Sequence, residues 1–231
     1  MQEQNALDFE FPAVFITKKS RAEDIVGIIK EGIIRGYWKP NEKIDDKELA
    51  KRLNVSRITV REALSKLVER RLIEKKHWKG FAVRYLSWEE IESLIDVRIV
   101  LEELALKKIV QMITPNIIQS LEQSIDEAKE AVERRDFHGF SRSDYRFHQI
   151  IQSESGNPWI KDILEDLHVL ISIVRYISQW KHPEEVAKKS ISEHERIVEC
   201  LKQGNGDEAI RHLHEHLNNH RERVRMEYQS G

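Results

Sequence analysis

Apolar residues recur at helical spacing through most of the chain, and the stretch NVSRITVREALSKL, residues 54–67, shows the pattern clearly. Val60, Leu64 and Leu67 fall on one face of a helix because three or four residues separate successive apolar positions. A stripe of this kind predicts an amphipathic helix with a polar opposite face. Arg57 and Arg61 lie one turn apart at the beginning of this helix. The pattern therefore predicts a helix whose first turns carry two cations.

Capping signals predict two shorter helices before this one. Ser20 with Glu23, and Asp45 with Glu48, each have the spacing of a capping box, which marks a helix N-terminus. Gly36 ends the first helix, since glycine readily adopts the left-handed conformation found just after helices. The sequence predicts two short helices before the arginine-bearing one.

The arginine-bearing helix begins at Ser56, a favoured capping residue, and is predicted to continue to about Arg70. The segments LIEKK and FAVRY that follow are rich in strand-forming residues, and HWKG lies between them, which predicts a small hairpin. The order helix, helix, tight turn, helix, hairpin is typical of a helix-turn-helix followed by a wing.

Beyond Tyr85 the pattern changes to long helices with short connections. The predicted helices cover about 88–112, 115–134, 137–155, 158–180, 183–203 and 207–228. Six such helices predict an antiparallel α-helical bundle. The whole chain is therefore expected to be mostly α, with an N-terminal arm (1–19), a winged helix-turn-helix (20–86) and a helical domain (87–231).

Composition and charge indicate that the two parts of the chain have different functions. The length of 231 residues is comfortable for two domains, and the single cysteine excludes an internal disulfide, which predicts a cytoplasmic protein. No segment approaches the roughly 18 consecutive apolar residues of a membrane span. Residues 1–86 hold 19 Lys and Arg against 13 Asp and Glu, whereas residues 87–231 hold 19 against 27. A basic module that meets a polyanion, joined to an acidic module with another task, is indicated.

The position of Arg57 and Arg61 favours DNA as that polyanion. Cations at a helix N-terminus oppose the helix dipole, so a purely structural sequence would place acids there. The second helix of a helix-turn-helix enters the major groove, where arginine matches the O6 and N7 acceptors of guanine. Solvated surface charge is the alternative interpretation of the pair.

The segment GYWKPNEKIDDKELAKRLNVSRITVREALSKLVERRLIEKKHWKGFAV resembles the DNA-binding domain of the GntR family of bacterial transcription regulators. VSRITVREAL is the most specific part of the match. Family members typically have Ser/Thr-Pro where this chain has Ile58-Thr59. They also have glycines where this chain has Asn41 and Arg71. The resemblance implies a winged helix-turn-helix that binds a palindromic DNA operator as a homodimer.

The resemblance also implies which residues meet DNA. Arg57 and Arg61 are expected at bases or adjacent phosphates, and Ser56 and Thr59 at the backbone. Lys47 matches a family position that reaches DNA. His77 and Gly80 fall at the wing tip, for which an ordinary solvated turn is the alternative. The predicted DNA-binding residues are Lys47, Ser56, Arg57, Thr59, Arg61, His77 and Gly80.

Nine of the ten histidines lie beyond residue 86. Asp144 and His148 are four residues apart and share a helix face, and His194 lies beside an apolar stripe. The last helix adds His212, His214, His216 and His220. Carboxylate and imidazoles that converge inside a bundle suit Zn, Ni, Mn or Fe(II). Hydrogen-bonded core histidines and solvated surface histidines are the alternatives.

The bundle resembles the FCD effector domain of the FadR subfamily, through DVRIVLEELAL, D-x-x-x-H, and histidines in the last two helices. The resemblance implies a divalent metal held by Asp144, His148, His194 and His216. It also implies a small organic acid bound beside the metal. The residues expected to contact that effector are Arg98, Glu102 and Arg175. Six bundle helices fit the VanR-like form of the subfamily.

Three functions remain open from these features. The first is a ligand-responsive regulator, expected to be a repressor, whose operator affinity changes when a small carboxylate binds. The second is a regulator for which the metal ion itself is the signal. The third is a metal-dependent enzyme, although no further base stands at a suitable spacing, so we expect no enzymatic activity.

Overall fold

The computed structural model describes residues 21–76, 80–179 and 182–229. The chain divides into two compact units, with the boundary between Ser87 and Trp88. The predicted N-terminal arm and His77 lie outside the described residues.

The N-terminal unit contains three helices and a small antiparallel sheet. Its elements are α1 (Arg21–Ile34), β1 (Lys43–Ile44), α2 (Asp46–Arg52), α3 (Arg57–Glu69), β2 (Ile73–Lys76) and β3 (Gly80–Val83). The sheet order is β1-β3-β2, so the predicted hairpin gains a third strand. A two-residue strand has too few positions to show an alternating pattern, and only its pairing with β3 reveals it.

Predicted caps and core positions determine this unit. The Asp45 side chain accepts hydrogen bonds from the backbone N–H groups of Lys47 and Glu48, and that of Ser56 accepts one from Thr59. Each bond satisfies an amide that the first helical turn leaves without a partner. The predicted apolar stripe of α3 is fully buried, as are isoleucines of α1 that pack against it.

The C-terminal unit is the predicted bundle of six helices. They are α4 (Trp88–Met112), α5 (Pro115–Glu133), α6 (Phe137–Glu154), α7 (Pro158–Gln179), α8 (Pro183–Lys202) and α9 (Gly206–Gln229). Helix α4 packs against α6, α7 and α9, and α8 packs against α5 and α9. The fold class is confirmed, and the VanR-like form stays a prediction. Among the described residues, no helix combines the length and the apolar run needed to cross a bilayer.

Asn41 and Arg71, which stand where the resembled family has glycine, adopt a backbone conformation that favours glycine. Asn41 and Arg71 have φ values of 69° and 57°, in the left-handed region that glycine enters without a steric penalty. Asparagine tolerates this region well, whereas arginine pays for the contact between its Cβ and its backbone. Arg71 follows the C-terminus of α3, where the left-handed residue turns the chain into β2.

Replacing Arg71 with glycine is expected to raise the free energy of unfolding by up to about 1 kcal/mol, because the relieved strain exceeds the added entropy of the unfolded chain. Urea denaturation of the full chain measures the change. Arg70→Gly is the matched control, since Arg70 has φ −77° and gains nothing from glycine. Arg70→Gly should lower the free energy of unfolding, and equal losses in both variants would contradict the prediction.

Candidate functional site

The two arginines at the start of α3 are held by one carboxylate. Arg57 donates from Nε to Asp46 Oδ2 at 3.0 Å, and Arg61 donates from Nη1 to the same oxygen at 2.9 Å. The Asp46 side chain is 12% exposed, whereas those of Arg57 and Arg61 are 48% and 45% exposed. Burial acts to raise the pKa of Asp46, but the hydrogen bonds from Arg57 and Arg61 outweigh it and the pKa is lowered. Asp46 therefore stays ionised and anchors both guanidinium groups.

A second contact restrains Arg61. Its guanidinium carbon lies 5.5 Å from the centre of the Phe81 ring, within the range of a cation–π contact. Each guanidinium carries five donor N–H groups, and Asp46 accepts one from each arginine. These contacts hold the two guanidinium groups in place. Because both side chains are about half exposed, the N–H groups that Asp46 does not use, which we call the outer edges, stay accessible to solvent.

The other predicted DNA-binding residues that the structure describes lie on α2, at the start of α3 and at the start of β3. Lys47 is exposed on α2, directly after Asp46, and Gly80 opens β3 with φ of 87°. Ser56 caps α3 through its bond to Thr59 N, at 3.1 Å, and the two hydroxyls are 2.7 Å apart. Their hydroxyls thus already serve the helix N-terminus. The anchoring role of Asp46 was not predicted from the sequence, where the adjacent Asp45 carried the capping signal.

Three predicted histidines meet inside the bundle. His148 of α6, His194 of α8 and His216 of α9 are all buried. His216 Nε2 lies 3.3 Å from both His194 Nε2 and His148 Nε2. One nitrogen from each ring lies within 4.8 Å of the other two. We call these three residues the histidine triad.

Two buried carboxylates orient the triad from behind. His148 Nδ1 is 2.6 Å from Glu102 Oε2, and His216 Nδ1 is 2.7 Å from Glu193 Oε2. When the carboxylate accepts a hydrogen bond from Nδ1–H, a neutral ring presents its Nε2 lone pair to the triad. Glu193 was not among the predicted site residues, because only the packing of α8 against α9 brings it to His216.

The triad has the donor chemistry and the spacing of a metal site. Burial lowers the pKa of His148 and of His194, which favours neutral rings. Two lone pairs that face each other at 3.3 Å repel unless a cation or a proton lies between them. Nitrogens bound to Zn²⁺ at about 2.0–2.1 Å in tetrahedral geometry are about 3.3–3.4 Å apart. The residues present therefore fit a divalent metal ion.

Asp144, the fourth predicted ligand, lies beside the triad. Its Oδ1 is 3.9 Å from His194 Nε2 and accepts a hydrogen bond from Ser190 Oγ at 2.9 Å. Its Oδ2 is 3.5 Å from Arg175 Nε. Burial acts to raise the pKa of Asp144, but the charge of Arg175 contributes most to holding it well below the usual range. Its role as a ligand stays a prediction.

The predicted effector residues lie next to the triad. Arg98 donates to Glu102 Oε1 at 2.8 Å, and Arg175 donates to the Ser141 carbonyl oxygen at 2.9 Å. Burial acts to raise the pKa of Glu102, but Arg98 and His148 outweigh it and the group is ionised. A small cavity of about 20 Å³ is lined by both arginines, by Asp144 and by two triad residues. The site therefore places imidazole and carboxylate groups that can bind a metal ion beside the buried guanidinium groups of Arg98 and Arg175.

Each of the two units matches the sequence model of a known family. The model described as bacterial regulatory proteins, gntR family, matches residues 21–83, which contain the arginine-bearing helix. The FCD domain model matches residues 93–219, which contain all three triad histidines. The two models together cover most of the chain.

Relatives and solved structures point the same way. The HTH-type transcriptional repressor RspR of Escherichia coli is 29% identical over 206 residues, which cover 88% of this chain and 89% of that protein. The gluconate operon transcriptional repressor of Bacillus subtilis is 23% identical over 94% of this chain and 90% of its own length. A crystal structure of a GntR regulator from Rhodococcus sp. RHA1 superposes with a TM-score of 0.78, at 24% identity, over 89% of this chain and 98% of that one. The chain belongs to the GntR family of DNA-binding transcription regulators and carries an FCD effector domain.

Proposed function

We propose that the protein is a homodimeric repressor that binds a palindromic operator and holds a divalent metal ion in its FCD domain, beside which a small organic acid binds and weakens operator affinity. The observation that carries the proposal is the convergence of three buried imidazole nitrogens, all within 4.8 Å of one another, with two of the three pairs 3.3 Å apart. Carboxylates that fix the Nδ1 protons of two rings support it. The family is one of regulators, so the enzyme interpretation is set aside.

The metal would be held by the histidine triad, with Asp144 as a fourth ligand. When bound, such an ion supplies a Lewis acid that attracts carboxylate or hydroxyl oxygens. Glu102 and Glu193 hold the rings of His148 and His216 in the orientation that coordination requires. Zn, Ni, Mn and Fe(II) all suit this donor set.

An organic acid is favoured by the buried cations around the triad. Arg98 and Arg175 both line the cavity, and guanidinium is the side chain best suited to bind carboxylate. Glu102 uses Arg98 Nε, which leaves the terminal nitrogens of that group for a ligand. The relative named for the gluconate operon is, by that name, connected with a sugar acid.

A metal-sensing regulator is the alternative, supported by the same triad. The two functions differ in what changes DNA affinity. Operator affinity that follows metal content alone, with no response to carboxylates, would favour the metal sensor.

DNA recognition is assigned to the outer edges of Arg57 and Arg61. Replacing either residue with alanine should cost about 1–3 kcal/mol on a duplex selected by the wild-type protein, if each arginine makes a bidentate base contact. Affinity for the selected duplex and for random duplex is measured by fluorescence anisotropy at fixed salt. Arg71→Ala, on the same unit, is the control. Equal losses on both duplexes would reduce the arginines to phosphate contacts.

The purified full chain should contain about one divalent ion per subunit. Replacing His148, His194 or His216 with alanine should lower the metal content, since each supplies one of the few nitrogen ligands. Asp144→Ala tests the predicted fourth ligand in the same assay. His214→Ala is the control, because His214 is 54% exposed and pairs with Glu103. Elemental analysis that finds no metal in folded wild-type protein would contradict the site.

Small carboxylates should raise the unfolding temperature of the metal-loaded protein and leave that of chelator-treated protein unchanged. They should also weaken binding to the selected duplex by about 1–3 kcal/mol, the usual range of coupling between two sites. Thermal-shift and anisotropy measurements test the two effects. An acid that stabilises the protein without changing DNA affinity would reject it as the regulatory signal.

The dimer surface is assigned to an exposed apolar face on α4 and α7. On α4, Val97, Val100 and Leu104 are 44%, 64% and 41% exposed, and they recur at helical spacing. On α7, Trp159 is 74% and Ile163 is 42% exposed. These two helices pack against each other. Exposed apolar side chains on two packed helices of an isolated subunit are typical of an interface, and two-fold symmetry matches a palindromic operator.

Placing a charge in this face should separate the subunits. Val100→Glu is expected to elute as a monomer in size-exclusion chromatography with light scattering, because a buried unpaired carboxylate strongly disfavours the interface. Met226→Glu is the matched control, since Met226 is 66% exposed on α9. A Val100→Glu protein that remains dimeric would place the interface elsewhere.

A further inference from the structure

The first turn of α3 exposes a large apolar side chain. Ile58 is 80% exposed, the highest value among the large hydrophobic residues in the described part of the chain. The residues one turn further along, Arg61 and Glu62, are exposed and charged, so the next turn of α3 offers Ile58 no apolar neighbour. Single exposed apolar residues are common on protein surfaces, so exposure alone assigns Ile58 no role. Its surroundings on α3 are what indicate one.

Ile58 shares a helix face with the two arginines that Asp46 anchors. It directly follows Arg57 and precedes Arg61 by three residues. At 3.6 residues per turn, the three side chains fall within an arc of about 100° around the helix axis. Asp46 accepts a hydrogen bond from each guanidinium group and so holds both cations on this face. A surface that binds the two arginines therefore also covers Ile58.

The partner that fits this face carries negative charge around an apolar group. A protein surface would have to supply carboxylates for both guanidinium groups on either side of an apolar contact. Duplex DNA supplies phosphates and guanine acceptors, and in the major groove it presents the C5 methyl group of thymine. In a helix-turn-helix the N-terminal residues of the second helix contact base edges in that groove. The combination of Arg57, Ile58 and Arg61 therefore favours DNA.

The chemistry of isoleucine makes such a contact selective. Serine or threonine, which the resembled family has at this position, offers a hydroxyl that can hydrogen-bond to different bases. Ile58 offers only apolar contact, so it would cover the polar edge of a G·C pair without satisfying it, which is unfavourable. Its β-branched side chain is also stiff in a helix, so little rotamer freedom is lost when it is covered.

We propose that Ile58 is a specificity-determining residue that contacts the C5 methyl group of a thymine in each half-site of the operator. This inference rests on the proposed binding of Arg57 and Arg61 to DNA bases. Along the helix axis Ile58 is about 1.5 Å from Arg57 and about 4.5 Å from Arg61. Base pairs are stacked about 3.4 Å apart. The thymine is therefore expected within about two base pairs of the bases that the arginines contact, on either strand.

Uracil in place of thymine tests the contact, because uracil pairs in the same way and lacks only the C5 methyl group. The wild-type full chain selects a duplex from random sequence, and each thymine of the half-sites is replaced in turn by uracil. Fluorescence anisotropy at fixed salt measures the Kd. At one position, uracil should weaken wild-type binding about fourfold for each half-site changed, as expected when one methyl group loses its apolar contact.

Variants of Ile58 identify the side chain that makes the contact. Ile58→Ala should reduce the effect of uracil to less than about twofold, because alanine removes most of the apolar surface that covers the methyl group. Ile58→Val keeps a β-branched apolar side chain and should retain most of the effect. Glu69→Ala is the control, since Glu69 is exposed in the last turn of α3, about 16 Å further along the helix axis. It should keep the wild-type ratio of the two affinities.

Folding and assembly are checked on the same variants. Ile58→Ala should not lower the unfolding temperature or change the mass in solution, because the side chain that it removes is 80% exposed. A lower unfolding temperature would show a structural role for Ile58 and overturn the inference. A change in subunit association, measured by light scattering, would place Ile58 in a protein interface and also overturn it.

The DNA measurements separate this inference from the proposed function. If no uracil position weakens wild-type binding, or if Ile58→Ala retains the full effect, the thymine contact is overturned while the contacts of Arg57 and Arg61 stay in place. Failure of the wild-type protein to select any duplex sequence would reject the proposed operator recognition itself, and the contact of Ile58 with it.

Discussion

The bundle depends on one buried carboxylate, Glu102, which is fully enclosed and is hydrogen-bonded to Arg98 and to His148. Arg98 belongs to the same helix, α4, and His148 belongs to α6, so Glu102 ties the long first helix of the bundle to the histidine triad. Removing one member of such a group leaves the others charged or unsatisfied in the interior, which costs about 3–5 kcal/mol for a buried pair. Arg98, Glu102 and His148 can therefore be buried together because each has a hydrogen-bond partner among the three.

Asp46 plays a comparable part in the N-terminal unit. It holds Arg57 and Arg61 through one oxygen, as Glu102 holds Arg98 and His148 through two. The difference lies in solvent exposure. The arginines of α3 stay half exposed and able to meet phosphates and bases, whereas Arg98 is enclosed and able to meet only a ligand that enters the cavity. In both units a carboxylate holds a guanidinium group in one orientation, which would lower the ordering cost of binding a ligand there.

The histidines of α9 show how burial assigns different roles to one residue type. His216 joins the triad and is oriented by Glu193, while His220 faces the cavity without a hydrogen bond. His212 is 18% exposed and lies near Glu208 and Glu215 on the same helix, and His214 pairs with Glu103. Of these four histidines within nine residues, one thus joins the histidine triad, one faces the cavity and two lie beside surface carboxylates.

The sequence by itself determined the local elements and their order. Caps at Asp45 and Ser56, the apolar stripe of α3 and prolines at helix starts are local signals, and all of them act within a few residues. The three triad histidines were also predicted, although by family resemblance. Helical phase alone left His212, His216 and His220 equivalent, since four-residue spacing places them on one face.

Only the tertiary structure decided which of these side chains meet. Asp46 and Arg61 are 15 residues apart, Glu102 and His148 are 46 apart, and Glu193 and His216 are 23 apart. No local pattern encodes such pairs, because the partner depends on which helix packs opposite and at what depth. The third strand, the orienting carboxylates and the unsatisfied donors of His220 and Arg223 all arise from that packing, through burial that removes water as the alternative partner.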